Sequence, residues 1–311
     1  MDLSVIIPFC NEHPQATFTI RSIAEELKDR GIEFEIIAIN NHCPQNEEKG
    51  HPDDGGGDSI KACDPLNPWL KYLHYTDKLS HWNAKRVGVE HSTGRILFFV
   101  DAHVILSRDG LYGMYKYYDE NQDILNGSIH LPLTYKVLES RKLIYKFVLD
   151  EGLFYHYLFT GFSPKHYPQD EVFEVPCMSC CGIMMSREIY NLTGGWPKEL
   201  GVYGGGEHFM NYTLAVLGKH KWIYPFGTCY HFGAPRGYNW WYDDRIRNII
   251  LAHYIFGGEK VARGFVSIAK GRPEVLNQLL DDVMKKEKAH RALVKSRQAM
   301  EITTWKNAWI S

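Results

Sequence analysis

The stretch Ile96-Leu97-Phe98-Phe99-Val100-Asp101-Ala102-His103 decides the fold class of this 311-residue chain. Its run of apolar residues predicts a strand buried on both faces, and such strands belong to mostly parallel sheets covered by helices. Asp101 and His103 follow the strand at positions i and i+2, so their side chains can point to one side. A carboxylate beside an imidazole suits a divalent ion such as Mn²⁺. A polar turn that merely ends the strand is the alternative.

The first forty residues predict a strand, a helix and a second strand. Residues 3–9 form an apolar run, and an apolar stripe at Ile20, Ile23, Ala24 and Leu27 indicates an amphipathic helix that follows it. Residues 34–39 are again apolar. This βαβ unit predicts an α/β fold whose ligand site lies at the carboxyl ends of the strands.

The middle of the chain alternates between polar loops and predicted elements. Residues 43–68 are rich in Gly and Pro and are interpreted as an exposed insertion, with a mobile lid as the alternative. Residues 69–75 predict a strand, and Ser80 can cap the next helix, which carries Lys85 and Arg86. These two cations could reach a diphosphate or belong to a solvated face. Further predictions are helices over 111–120 and 138–153 and strands over 123–130, 172–176 and 180–185.

The later half contains two more candidate site residues. Three glycines precede Glu207 at the predicted start of a helix over 209–217, and they allow backbone to approach a ligand closely. Glu207 could serve as a general base, as an acceptor for a sugar hydroxyl, or as a helix cap. His231 ends a predicted strand, where it is either a third metal ligand or a histidine of the core.

Composition limits the class of protein. The formal net charge of −2 argues against a general polyanion binder, and the 44% of hydrophobic residues allow a large core. No apolar run is long enough to span a membrane and the chain opens directly on a strand, so we expect a cytoplasmic protein. The seven cysteines predict free thiols. Cys177, Cys180 and Cys181 are interpreted as small buried hydrophobes rather than zinc ligands.

The end of the chain predicts helices, of which residues 284–300 carry six basic side chains. A solvated surface is the simpler interpretation, and contact with an anionic partner is the alternative.

Together these motifs resemble glycosyltransferases of the GT-A fold, especially family 2 and the polypeptide N-acetylgalactosaminyltransferases. The residues that carry the resemblance span about 3–231. They are Val5-Ile6-Ile7-Pro8-Phe9-Cys10-Asn11-Glu12, Ala84-Lys85-Arg86-Val87-Gly88, Phe99-Val100-Asp101-Ala102-His103, Cys181-Gly182-Ile183-Met184-Met185-Ser186-Arg187, Gly194-Gly195-Trp196 and Gly205-Gly206-Glu207.

The resemblance implies a mixed α/β sheet flanked by helices and the transfer of a sugar from a nucleotide-diphosphate donor, such as a UDP-sugar, to an acceptor hydroxyl. It implies Mn²⁺ or Mg²⁺ held by Asp101 and His103. His231 is added as a third ligand because of its residue type and its position after a predicted strand. Glu207, with His208 beside it, is expected to orient or deprotonate the acceptor. The expected donor-binding residues are Pro8, Asn11, Glu12, Asn41, Lys85, Arg86 and Asp101.

The sequence also departs from the family pattern. Asn40 and Asn41 stand where the family commonly has two Asp residues, and His208 stands where it has Asn or Asp. In the N-acetylgalactosaminyltransferases the metal-binding His lies in a Cys-x-x-x-Gly-His motif. The matching positions here are Cys229, Gly233 and Ala234, and His231 lies three residues before Ala234. The departures at Asn40, Asn41 and His208 keep open an inactive GT-A scaffold that binds nucleotide or a partner. A nucleotidyltransferase ranks last, because the first strand lacks the Gly-rich loop and basic residue of that class.

The predicted organisation is a GT-A domain over 1–235, with a nucleotide-binding half over 1–103 and an acceptor half over 104–235. A helical extension follows over 236–311. The acceptor is open among a glycan, a protein side chain, a lipid-linked sugar and a hydroxylated nucleobase.

Overall fold

The computed structural model describes residues 1–135, 143–146, 158–161, 170–232, 238 and 242–310. Its first part alternates strands and helices as the sequence predicts. The elements are β1 (Leu3–Phe9), α1 (Gln15–Leu27), β2 (Phe34–Asn40), α2 (Pro44–Glu47), α3 (Gly56–Cys63), β3 (Leu70–His74), α4 (His81–Glu90), β4 (Ile96–Phe99), β5 (Val104–Leu106), α5 (Gly110–Glu120), α6 (Gln122–Leu125), β6 (Gly127–His130) and β7 (Leu133–Thr134).

The second part completes two sheets and ends in helices. Its elements are β8 (Leu143–Lys146), β9 (Leu158–Gly161), β10 (Phe173–Glu174), β11 (Ile183–Ser186), α7 (Arg187–Thr193), α8 (Gly206–Val216), β12 (His220–Ile223), β13 (Cys229–His231), α9 (Tyr242–Ile268), α10 (Pro273–Lys286), α11 (Lys288–Arg297) and α12 (Ile302–Ile310).

The larger sheet has eight strands in the order β10-β12-β6-β11-β4-β1-β2-β3. Strand β1 pairs in parallel with β2 on one side and with β4 on the other. Strand β11 is antiparallel to both of its neighbours, β4 and β6. The predicted α/β class with a mixed sheet and helical C-terminal segments is therefore confirmed. Because chain order reverses on the two sides of β1, the carboxyl ends of β1 and β4 border a crevice.

Apolar side chains cover both faces of this sheet. In β2, Ile37 and Ile39 join the core on one face, and Ile36 and Ala38 join the core on the other. In β4, Phe99 joins the first of these cores and Phe98 the second, and both are fully buried. The period of two along each strand sends successive side chains to opposite faces, as expected for strands sandwiched between helices.

A smaller sheet has the strand order β5-β13-β7-β8-β9. Antiparallel pairing of β5 with β13 places His231 opposite Val104. This pairing was not predicted, because β5 is only three residues long and lies directly after the metal motif. It connects the end of β4 to a segment more than a hundred residues later.

Three of the predicted elements differ from the structure. The insertion over 43–68 is partly helical, containing α2 and α3, and is fastened to the first loop by a hydrogen bond from Asn11 Nδ2 to the Pro52 carbonyl (2.9 Å). Residues 123–125 belong to α6 rather than to the strand, which begins at Gly127. Within the predicted helix over 138–153, residues Leu143–Lys146 form a strand and the others lie outside the described residues.

The C-terminal helices pack on the sheet-bearing part of the chain. Helix α9 lies against α8 and bends at Gly258, whose φ of 78° is not helical. The predicted division at 235/236 stays a prediction. Among the described helices, none combines the length and the apolar character that crossing a membrane requires.

Much of the basic charge over 284–300 has intramolecular partners. Arg297 donates to the carbonyls of Asn191 and Leu192 at the end of α7, and Arg291 donates to Ile255 O beside the bend of α9. Lys295 pairs with Glu301. Cations at helix C-termini stabilise the exposed carbonyls there, so these side chains have a structural use that the sequence did not reveal.

Candidate functional site

Polar side chains from both sheets meet in one cavity at the carboxyl ends of β1 and β4. The cavity has a volume of about 380 Å³, which is within the range of small-molecule sites. Eight of the eleven residues predicted for the site line it: Pro8, Glu12, Asn41, Lys85, Asp101, His103, Glu207 and His231. The predicted convergence at this edge is thus observed, although these residues come from six separate parts of the chain.

Asp101 and Lys85 form an ion pair at the floor of the cavity. Lys85 Nζ lies 3.2 Å from Asp101 Oδ1 and 3.0 Å from the Cys180 carbonyl oxygen, and only 1% of its side chain is exposed. Burial opposes the charge of Asp101, but the Lys85 ammonium and a hydrogen bond from His231 hold the pKa of that carboxyl well below its usual value. Burial likewise opposes the charge of Lys85, and Asp101 nevertheless raises the pKa of the lysine. Both groups therefore stay ionised.

The His103 ring is held by Glu12. Its Nδ1 lies 2.5 Å from Glu12 Oε1, while the other oxygen of Glu12 accepts a hydrogen bond from the Cys10 amide at 3.3 Å. A carboxylate on one ring nitrogen fixes the orientation of the imidazole and leaves Nε2 facing the cavity. Both oxygens of Glu12 are engaged in this way, so its position favours support of His103 rather than the predicted contact with the nucleoside.

His231 completes the group, because the small sheet carries it to the end of β4. Its Nε2 lies 3.1 Å from His103 Nε2 and 3.5 Å from Asp101 Oδ2. The backbone amide of Phe232 donates to the His103 carbonyl (2.9 Å), and the β5–β13 pairing continues from there. The side chain that was predicted as a third ligand or a core histidine therefore stands beside the Asp-x-His motif.

The loop that carries His103 is clamped to α1. Thr19 Oγ1 lies 2.8 Å from the Ala102 carbonyl and 2.7 Å from the Val104 carbonyl, and it accepts from the Val104 amide. A buried hydroxyl that satisfies backbone groups on both sides of His103 limits the movement of this residue. Thr19 thus holds the backbone on both sides of His103, and Glu12 holds the His103 ring.

Glu207 lines the cavity from the start of α8. Gly204 and Gly205 have φ values of 74° and 73°, which non-glycine residues rarely adopt, and a Cβ on Gly206 would lie 2.3 Å from the Trp82 ring. The glycine run is therefore required to bring this helix start against Trp82. Burial raises the pKa of the Glu207 carboxyl, and nearby Asp101 raises it further.

Three of the predicted site residues lie elsewhere. His208 is 4% exposed and packs near Tyr212 and His253 between α8 and α9, because successive side chains of a helix point about 100° apart. Arg86 pairs with Glu90 on the surface of α4. The Asn11 amide is bonded to the 52–54 segment rather than directed into the cavity.

The two asparagines that depart from the family pattern are engaged in backbone hydrogen bonds. Asn41 donates to the carbonyls of Tyr75 (3.0 Å) and Lys78 (2.9 Å) and accepts from the Ser80 amide (2.8 Å). Asn40 accepts from the His42 amide (2.9 Å) and donates to the Tyr72 hydroxyl (3.2 Å). Asn41 therefore shapes the wall of the cavity, but its amide is already used within the protein.

One residue beside the Asp-x-His motif was missed by the sequence interpretation. All seven cysteines are free, as predicted, and Cys181 is buried. Its Sγ nevertheless lies within 4.8 Å of the ligand atoms of Asp101 and His231. The antiparallel pairing of β11 with β4 brings this residue to the end of the metal strand. Antiparallel pairing over that distance has no local sequence signal.

The donor atoms present fit a divalent metal ion. Two Nε2 atoms 3.1 Å apart and a carboxylate oxygen 3.5 Å from one of them have the spacing of neighbouring ligands, since metal–nitrogen bonds of about 2.0–2.1 Å place neighbouring ligands roughly 3–3.5 Å apart. The Glu12 contact supplies the carboxylate that commonly supports a metal-binding histidine. Asp101, His103 and His231 could therefore bind one ion together.

Comparison with known proteins identifies the family of the chain. The family model described as "Glycosyl transferase family 2" matches residues 4–192, which is more than half of the chain. No curated protein sequence matches the chain.

Solved structures show that the fold is the predicted GT-A fold. GalNAc-T7, crystallised with UDP, GalNAc and Mn²⁺, is similar with a TM-score of 0.67 and 14% identity, over 93% of this chain and 57% of that one. TarS of S. aureus gives 0.52 and 14%, over 92% and 43%. The mannosyltransferase PcManGT from Pyrobaculum calidifontis, in complex with GDP-Man and Mn²⁺, gives 0.54 and 17%, over 99% and 83%. This chain thus spans less than two thirds of the first two proteins.

Proposed function

Since the chain belongs to glycosyl transferase family 2, we propose that it transfers a sugar from a UDP-sugar to an acceptor hydroxyl with the aid of a divalent metal ion. The observation that carries the proposal is the single cavity shared by Lys85, Asp101, His103, His231 and Glu207. The cavity thus combines a cation and candidate metal ligands with the carboxylate of Glu207. Positive charge stabilises a leaving diphosphate, and a carboxylate can take the proton of an attacking hydroxyl.

The diphosphate side of the cavity is assigned to Asp101, His103 and His231. These residues would hold Mn²⁺ or Mg²⁺, and a bound ion supplies positive charge to a leaving diphosphate. The structures of GalNAc-T7 and PcManGT were determined with Mn²⁺ present, which supports the proposal. Glu12 keeps the His103 ring in the ligating orientation.

Lys85 contributes a fixed positive charge to the same part of the cavity. Its Nζ binds Asp101 Oδ1, which leaves Asp101 Oδ2 on the side of His231. The ammonium is also within 5.2 Å of the Trp82 ring centre, so its stem is packed and its position is restrained. We assign Lys85 to charge neutralisation at the diphosphate and to the orientation of the Asp101 carboxylate.

Glu207 is assigned to the acceptor. A carboxylate with a raised pKa, at the start of a helix and in the same cavity as the candidate metal ligands, can accept the proton of an attacking hydroxyl. His208 lies in the packing between helices, so Glu207 carries this assignment alone.

The donor is proposed to be a UDP-sugar. GalNAc-T7 and TarS were crystallised with UDP or UDP-GlcNAc, whereas the mannosyltransferase was crystallised with GDP-Man. Pro8 lines the cavity and is assigned to the nucleotide end of the donor. The acceptor stays open among a glycan, a protein side chain, a lipid-linked sugar and a hydroxylated nucleobase.

The test is release of nucleoside diphosphate from a panel of UDP-, GDP- and TDP-sugars, with Mn²⁺ or with a chelator. We expect release from UDP-sugars with metal and a loss of at least about a hundredfold in Asp101→Ala. Asp123→Ala, on the short helix α6 away from the cavity, is the matched control and should retain activity. Metal-dependent binding of UDP without turnover, also in the presence of the four acceptor classes, would favour the inactive scaffold. No binding of any donor would contradict the proposal.

A further inference from the structure

The thiol of Cys181 belongs to the same constellation as the proposed metal ligands. Its Sγ lies within 4.8 Å of a carboxylate oxygen of Asp101 and a ring nitrogen of His231, and the residue lines the cavity. The side chain is nearly withdrawn from solvent, with 4% of the residue exposed. Like Cys177 and Cys180 it belongs to the apolar core, but among the described cysteines it is the one whose sulfur groups with the ligand atoms of a carboxylate and an imidazole.

The backbone around Cys181 is fixed on both sides. The Cys181 amide donates to Ser179 Oγ (3.0 Å), and the Cys181 carbonyl is 2.7 Å from His130 Nε2, which donates to it. The next amide, of Gly182, donates to the Phe99 carbonyl (2.8 Å) at the end of the metal strand. Because these contacts are buried and satisfied, the backbone that carries the thiol is held in place before any ligand arrives.

The spacing of the group is compatible with a fourth ligand. Ligand atoms of one four-coordinate ion with bonds of about 2.0–2.3 Å lie roughly 3–4 Å from one another. The His231 nitrogen lies 3.1 Å from the His103 nitrogen and 3.5 Å from the Asp101 oxygen, both within this range, and the Cys181 sulfur lies no more than 4.8 Å from the ligand atoms of Asp101 and His231. Rotation about the bonds of one side chain can bring the sulfur into the range of a ligand.

We infer that Cys181 is a ligand of the proposed metal ion and that it changes which metal the site prefers. The inference rests on the proposed function, which already assigns the ion to Asp101, His103 and His231. A site of one carboxylate, two imidazoles and one thiolate favours Co²⁺ or Zn²⁺ over Mg²⁺, because soft sulfur binds borderline metals and hard cations prefer oxygen. On binding, the sulfur–hydrogen bond breaks, the proton passes to solvent and the sulfur–metal bond forms.

The experiment is a titration of the full-length, metal-free protein with Co²⁺, followed by optical absorption. A thiolate bound to Co²⁺ gives an intense charge-transfer band in the near ultraviolet, while the weaker visible bands report bound Co²⁺ whatever its ligands. We expect both kinds of band in the wild type. Cys181→Ser should lose the charge-transfer band, keep visible bands, and bind Co²⁺ at least about tenfold more weakly.

The matched control is Cys63→Ser, which removes the exposed cysteine and should leave the spectrum unchanged. Competition measures the preference: excess Mg²⁺ should displace Co²⁺ from Cys181→Ser more readily than from the wild type. Visible bands without a charge-transfer band in the wild type would overturn the inference and leave the proposed metal site standing. A charge-transfer band that survives in Cys181→Ser would overturn it as well. No Co²⁺ binding at all, together with no nucleotide release with any metal, would count against the proposed function itself.

Discussion

Removal of the Lys85 charge should destabilise the protein through Asp101. The Lys85→Met substitution keeps a long apolar stem against Trp82 but takes away the ammonium that lies 3.2 Å from Asp101 Oδ1. The Asp101 carboxylate is then left without its cation, and the Cys180 carbonyl loses a donor. Breaking a buried ion pair by removing one partner costs about 3–5 kcal/mol. Because 28% of the Asp101 side chain is exposed, we expect about 3 kcal/mol.

The assay is urea denaturation of metal-free protein at neutral pH, arranged as a double-mutant cycle. Asp101→Asn removes the charge that Lys85 balances, so Lys85→Met should cost about 2 kcal/mol less in that background than in the wild type. Lys116→Met, which removes the exposed lysine of an ion pair on α5, is the control and should change stability little. A Lys85→Met protein as stable as the wild type, or a cycle without coupling, would refute the assignment of this pair as an electrostatic unit.

Three further predictions concern other parts of the molecule. Because burial raises the pKa of Glu207, the acid limb of the rate–pH profile should lie above the pH range in which an exposed glutamate titrates. Glu207→Gln should abolish that limb and lower kcat by about 10²–10⁴. An acid limb that is unchanged in Glu207→Gln would contradict the assignment of Glu207 as the base. Gly206→Ala places a methyl group 2.3 Å from the Trp82 ring, so urea denaturation should show a loss of about 1–3 kcal/mol, and a neutral result would show that the helix start can move. Burial lowers the pKa of Lys221 from 10.5 to about 8, so the unfolded state binds more protons between these values and stability should rise with pH there. Lys221→Met should remove this rise, which is worth about 2 kcal/mol between denaturation at pH 7.5 and at pH 10.

The sequence alone determined the framework of the fold. Apolar runs at β1, β2 and β4 are long enough to specify buried strands, and each ends in polar residues at the same edge. The i, i+2 spacing of Asp101 and His103 predicts that both side chains point to one side of the chain. The glycines before Glu207 predict a turn with left-handed backbone, and Gly204 and Gly205 adopt φ values of 74° and 73°. These features depend on neighbours in the chain, so local chemistry is enough to predict them.

Tertiary structure decided which side chains contribute to the site and which are used elsewhere in the protein. His231 comes within 3.1 Å of His103 across 128 residues, because a three-residue strand pairs with β13, and Cys181 joins through an antiparallel strand. His208 turns into a helix interface, and the Asn41 amide is used by the backbone. Such contacts are selected by the packing of whole elements, whose free energy is shared among many residues far apart in the chain. The position of the site is therefore encoded locally, whereas its complete set of ligands exists only once the two sheets have come together.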